Sequence, residues 1–110
     1  MNKRLKRICE NLGWSVWDYD NDIEFHRYSP AGEDFFFAVN KDNYLNEVIE
    51  YAENFDADDH AEMWVNNMHN VKGVPQSIRA LIDDADAIKE MLLKLAKNLS
   101  KGVKNGKFKN

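Results

Sequence analysis

The stretch WSVWDYDNDIEFHRYSPAGEDFFFAVN, residues Trp14 to Asn40, decides the fold. It carries the only strong alternation of apolar and polar residues in the chain, and a two-residue period marks a strand with one buried face. Three strands are predicted, near Trp14 to Tyr19, Ile23 to Tyr28 and Asp34 to Val39. Asp20-Asn21-Asp22 separates the first two with residues that tolerate left-handed backbone and cap their own turns, which suits a tight hairpin. Ser29-Pro30-Ala31-Gly32-Glu33 separates the second and third, with Pro30 where no ladder donor is needed.

Register then sorts the side chains. If Ile23, Phe25, Phe35, Phe37 and Val39 point inward, Trp14 and Val16 join them, and Trp17, Tyr19, His26, Tyr28 and Phe36 take the opposite face. A sheet with aromatic residues on both sides is covered twice, by helices or a second subunit, or it keeps an aromatic surface for a partner. In so short a chain its own helices are the first expectation. If the face stays bare, those five residues are the candidate partner contacts.

Outward from the sheet, helical periods take over. Asn2 to Leu12 reads as an amphipathic helix with Leu5, Ile8, Cys9 and Leu12 on one side and Lys3, Arg4, Lys6 and Arg7 on the other, ended by Gly13 as a C-terminal cap. Asn40 or Asp42 can cap a helix from Lys41 to Phe55, whose stripe Tyr44, Leu45, Val48, Ile49, Ala52 and Phe55 packs on the sheet. Its other side carries Glu47, Glu50 and Glu53, a ladder of like charge that costs helix stability and invites an explanation outside the helix. Asp56 caps a third helix with Ala61, Trp64, Val65 and Met68 as its stripe. Asn70 to Gly73 forms a loop, and Val74-Pro75 opens the way to a last helix.

From Ser77 to Leu99 the residues Ile78, Leu81, Ala85, Ile88, Leu92, Leu95 and Leu99 alternate by three and four, an a/d heptad pattern. Ile82, Met91 and Ala96 widen that stripe, which favours burial in the domain over a two-stranded seam, with a homodimer through this helix as the alternative. Asp83-Asp84 reads as a kink or a fresh cap. The fold class is therefore α+β: a helix, a three-stranded antiparallel meander, and three helices packed on it. Residues 1–100 form one domain, and 101–110 read as a flexible Lys- and Gly-rich tail.

Composition narrows the function. At 44% apolar and 31% charged, the 110-residue chain has the balance of a soluble globular domain. The single Cys9 excludes an internal disulfide and suits a reducing cytoplasm, the expected location, and its burial is expected. No segment approaches a membrane span, and no secretory signal opens the chain. The net charge is −4, but it is unevenly spread. Asp18 to Glu62 holds fourteen acidic residues against Arg27 and Lys41, a net of −12, while Lys3, Arg4, Lys6 and Arg7 lie at the front of the chain and Lys94, Lys97, Lys101, Lys104, Lys107 and Lys109 at the back.

The densest set of potential metal ligands is Asp56, Asp58, Asp59, His60 and Glu62. It lacks the glycine and spacing of a calcium loop and the His-Glu-x-x-His zinc pattern, and helix capping explains it, so neither metal nor cofactor is expected. No nucleophile stands with a base and no Gly-rich phosphate loop occurs, so an enzyme is not expected.

Helix, meander, helix through Phe55 resembles, in topology only, double-stranded-RNA-binding domains and the HicA-type toxin ribonucleases. Lys41-Asp42-Asn43 and an acidic face stand where the former keep phosphate-reading lysines. Asp20-Asn21-Asp22 replaces the Gly-Ser turn that precedes the strand histidine of the latter, so no role passes to His26. The phrases YSPAGEDFFFAV, EYAENFDADDHAEMW and GVPQSIRALIDDADAIKEML resemble a family of small acidic proteins carried by phages and conjugative elements of Gram-positive bacteria. That resemblance implies a host-directed binding protein and no particular chemistry.

The expected function is a non-enzymatic acidic interaction protein. Glu47, Glu50, Glu53, Asp56, Asp58, Asp59 and Glu62 would meet a basic protein, with nucleic-acid mimicry as one form of that role and exposed aromatics as anchors. The alternatives are a nucleic-acid-binding module using the basic first helix and C-terminal tail, and a structural oligomerising protein. The −12 middle segment repels nucleic acid unless the basic ends cluster in space.

Overall fold

A computed structural model describes residues 1–67 and 78–109. Met68, the Asn70 to Gly73 loop, Val74 and Pro75 lie outside the described residues, as do the side chains of Val65, Ile78, Lys107 and Lys109. The elements are α1 (Lys3–Asn11), β1 (Ser15–Asp18), β2 (Asp22–Tyr28), β3 (Asp34–Asn40), a 3-10 turn (Lys41–Asn43), α2 (Tyr44–Asn54), α3 (Ala57–Asn67) and α4 (Ile78–Lys109). The three strands pair antiparallel in the order β1-β2-β3, so the α+β meander with helices on it is the architecture.

Local chemistry accounts for each junction. Asn2 caps α1 by accepting from the Leu5 N–H at 2.9 Å. At the far end Gly13 takes φ +98°, letting its own N–H reach Glu10 and that of Trp14 reach Cys9, each at 3.0 Å. That pair of hydrogen bonds is the Schellman stop, and it turns the chain straight into β1. The first hairpin closes with Tyr19 N–H on the Asp22 carbonyl at 2.9 Å, and no residue of Asp20-Asn21-Asp22 adopts the left-handed conformation the sequence suggested. In the second, Gly32 at φ +96° donates to the Ser29 carbonyl at 2.9 Å around Pro30-Ala31. Asn40 accepts from Asp42 N–H at 2.9 Å and starts a 3-10 turn, so α2 begins at Tyr44 rather than Lys41.

The sequence-derived inward set is buried: Trp14, Val16, Ile23, Phe25, Phe35, Phe37 and Val39. Trp14 stands edge-on to Phe25, Phe35 and Phe37 at centroid distances of 6.5, 6.3 and 5.8 Å. Above them lie Leu5 and Cys9 of α1, Val48 and Ala52 of α2, and Ile88, Leu92, Leu95 and Leu99 of α4. From Leu81 to Leu99 the heptad residues of α4 are thus buried within their own domain. Ile82, expected to widen this stripe, is exposed instead.

Three further expectations are corrected. Among the described residues the helices do not cover the second face of the sheet, because the apolar stripes of α1, α2 and α4 converge on the inner one. Asp83-Asp84 is neither kink nor cap, since α4 runs on as one 32-residue helix and Asp84 is buried as a tertiary acceptor. Its carboxylate takes the Ser29 hydroxyl at 2.6 Å and the Ala31 N–H at 2.9 Å, while Ser29 Oγ accepts from Glu33 N–H at 3.0 Å. The helix also passes the expected boundary at residue 100 and reaches Lys109, about 48 Å of helix at 1.5 Å per residue, which sets the 52 Å long axis. Gly102 lies against Leu5 and Ile8, with its carbonyl held by the Arg4 guanidinium, so the start and end of the chain meet.

Two outcomes test this packing. Asp84→Ala and Ser29→Ala each leave buried polar groups without partners, and each is expected to cost about 1–3 kcal/mol in urea denaturation, with the double mutant costing clearly less than the sum. Burial pushes the Cys9 thiol up to about 12, so Ellman's reagent should label the native protein far more slowly at pH 8 than the unfolded chain.

Candidate functional site

The outward strand positions are Ser15 and Trp17 on β1, Asp22, Glu24, His26 and Tyr28 on β2, and Asp34, Phe36, Ala38 and Asn40 on β3, with Tyr19 just beyond β1. Pairing places His26 opposite Phe36 and diagonal to Trp17. The rings form a row across all three strands: Trp17 on His26 at 4.0 Å between centroids, and His26 on Phe36 at 5.1 Å, both stacked. Trp17 is 49% exposed, Tyr19 46%, Phe36 57% and Tyr28 69%, while His26, held between Trp17 and Phe36, is half-buried. Among the described residues no helix lies over these rings.

Its charge is one-sided. His26 Nε2 is hydrogen-bonded to Glu24 Oε1 at 2.8 Å, which holds the imidazole between its two neighbours. Asp22, Glu24 and Asp34 are the formally charged outward residues of the strands, and none of these positions carries Lys or Arg. Arg27 belongs to the inward register and packs its guanidinium beside Gly13. Lys41 turns to the rim, where Asp18 binds its ammonium at 2.6 Å and the chain's amino terminus at 3.1 Å. Those two cations hold the Asp18 carboxyl below its ordinary range.

The acidic residues of α2 and α3 divide into groups. Glu47 and Glu50 face a cleft of about 680 Å³ between α2 and β3, where Glu47 Oε1 also accepts from Asn40 N–H at 2.9 Å. Glu53, Asp56 and Asp58 belong to the α2–α3 corner with Asp86 and Lys89. Lys89 reaches over from α4 to donate to the carbonyls of Ala52, Glu53 and Phe55, the last two at 2.9 Å. An ammonium at this helix C-terminus offsets both the orphan carbonyls and the misplaced acidic charge of Glu53. Asp56 caps α3 through Asp59 N–H at 3.1 Å, while Asp58, Asp59 and Glu62 remain exposed. Glu47 and Glu50 thus line a different cleft from Glu53, Asp56 and Asp58.

His60 leaves its acidic neighbours. Its Nε2 meets both Glu33 carboxylate oxygens at 2.9 and 3.0 Å, and its ring packs on Phe35 and Phe55. That contact ties α3 to the second hairpin, and among the described residues no group of three potential ligands converges on a metal position. Sequence reading missed the His60–Glu33 and Asp84–Ser29 links because their partners are 27 and 55 residues apart.

A comparison of neighbouring residues tests whether the bare face serves the fold. Phe37→Ala opens the core and is expected to cost about 3–5 kcal/mol, whereas Phe36→Ala and Trp17→Ala should each cost about 1 kcal/mol or less in the same urea melts. No protein-family model, curated protein or solved structure matches the chain, so its function is argued from the chemistry of this face and its flank.

Proposed function

We propose that the protein is a non-enzymatic interaction module that captures a basic protein partner, with the bare sheet face as its anchor. The observation that carries this reading is the exposed row Trp17, His26 and Phe36, bordered by carboxylates and without an outward Lys or Arg on the strands. Stacked rings supply large rigid contact area and accept cations on their faces, and adjacent carboxylates complete the attraction for lysine or arginine. A platform of the same rings for single-stranded nucleic acid needs cations for the phosphates, and here the flanking charge has the opposite sign. Glu50, Glu53, Asp56, Asp58, Asp59 and Glu62 extend the negative field along α2 and α3 and would steer such a partner. Among the described residues no helix is long and apolar enough to cross a membrane. A cytoplasmic role against a DNA- or RNA-binding host protein accords with the resemblance to proteins of mobile elements.

One observation favours the nucleic-acid-binding alternative. The packing of α1 on the end of α4 through Gly102 gathers Arg4 and its basic neighbours beside Lys101 and Lys104, away from the aromatic face. The two readings separate cleanly. In capture from bacterial lysate with quantitative mass spectrometry, wild-type protein should enrich basic proteins. Trp17→Ala/Phe36→Ala and Glu50→Lys/Glu53→Lys/Asp58→Lys should each lose them, and capture unaffected by either variant would exclude this surface. In a gel shift at about 50 mM salt no complex is expected with duplex or single-stranded nucleic acid; a complex that fades as salt rises would move the function to the basic end.

A further inference from the structure

β3 is an edge strand, and its free side is unusually open. Ser29 N–H on the Glu33 carbonyl and Lys41 N–H on the Asn21 carbonyl, both at 2.9 Å, fix which residues of the β2–β3 ladder exchange hydrogen bonds. They are the pairs Ile23 with Val39, Phe25 with Phe37 and Arg27 with Phe35. In an antiparallel ladder the residues between such pairs direct their N–H and C=O groups away from the partner strand. On β3 these are Asp34, Phe36, Ala38 and Asn40. Asn40 N–H is taken by Glu47, but among the described residues nothing meets the edge-facing groups of Phe36 and Ala38.

Among the described residues few of the usual protections of an edge are present beyond Asp34 and the Glu47 contact at Asn40. β3 has no proline, no lysine and no bulge, and it pairs over its full length with β2. Helix α2 lies behind the strand, not over its edge: Tyr51 stacks on Phe37 at 4.4 Å and Phe55 stands edge-on to Phe35 at 5.8 Å. Between edge and helix runs the 680 Å³ cleft, lined by Ala38, Val39, Glu47, Glu50, Tyr51 and Asn54 among others.

We infer that the free edge of β3 is a strand-addition site for an extended, lysine- or arginine-bearing segment of a partner protein. This rests on the reading of the protein as a binder of basic proteins and adds the binding geometry. A strand laid along β3 takes the Phe36 and Ala38 backbone groups into its ladder and sends alternate side chains to the two faces. Those on one face lie beside Phe36 and Asp34. Those on the other lie over the cleft, where the stem of a lysine or arginine covers Tyr51 and Val39 while its head meets Glu47 and Glu50. A second copy of this chain fits poorly as the occupant. The strand DFFFAVN has no cation to offer, and pairing two β3 edges would bring both sets of carboxylates together without counter-charge.

The test uses the full chain and three labelled heptapeptides: alternating Lys and Val, alternating Glu and Val, and the Lys-Val peptide N-methylated at its edge-facing amides. Fluorescence anisotropy should show binding of the first, none of the second, and about tenfold or greater weakening for the third. Amide hydrogen exchange should slow at Phe36 and Ala38 in the complex. Ala38→Pro, which removes an N–H that makes no ladder bond, should weaken the Lys-Val peptide to a similar degree while keeping the wild-type melting curve. Equal binding of methylated and unmethylated peptides, without protection at Phe36 and Ala38, overturns the edge site and leaves the basic-partner reading standing. No binding of the Lys-Val peptide also overturns it, and only loss of Trp17- and Phe36-dependent capture removes the underlying reading too. A doubled mass in light scattering that Ala38→Pro abolishes would assign the edge to a second copy instead. If that variant fails to fold, the methylated peptide still decides.

Discussion

Trp14 edge-on to three phenylalanines is the contact on which the remaining structure depends. A three-stranded sheet offers one patch of apolar surface large enough to organise a small domain, and whatever lies above Trp14 completes its core. Three helices compete for that place and share it: α1 delivered by the Gly13 stop, α2 returned over β3 by the Asn40 turn, and α4 laid against both. With the stripes of α1, α2 and α4 directed at the inner face, none of these three remains for the outer one. The bare aromatic row is thus a consequence of how the core is assembled.

Charge follows the same division. Because α1 packs on α4 at Gly102, Arg4 and its basic neighbours come beside Lys101 and Lys104, and the acidic middle of the sequence takes the sheet face, α2 and α3. A net charge near −4 conceals a molecule with two electrically different ends. Such separation costs some stability through like-charge repulsion within each region, relieved in places by Lys89 at the end of α2 and Lys41 on Asp18. It also gives the molecule a direction in which charged partners approach.

The second hairpin is where the polar side of the fold is concentrated. Ser29, Ala31 and Glu33 are bound by Asp84 of α4 and His60 of α3, so a five-residue turn holds both helices in place. Rigid attachment of that turn also orders β3, whose outer face and free edge carry the proposed contacts. A mobile strand would lose much of its binding free energy to ordering, and a strand held at its turn and along its back by Tyr51 and Phe55 does not.

The strands, their register and the split between buried and outward aromatics were legible in Trp14 to Asn40, because a period of two assigns faces without reference to anything distant. The caps Asn2, Gly13 and Asp56 were equally local, each acting on amides within a turn of itself. The buried role of Asp84, the departure of His60 from its acidic neighbours, the reach of Lys89 and the continuation of α4 past residue 100 depended on partners 27 to 98 residues away. Sequence alone determined that this protein has an aromatic second face. Only the tertiary structure decided that no described helix lies over it, since coverage depends on where the helices pack and the inner apolar patch takes α1, α2 and α4.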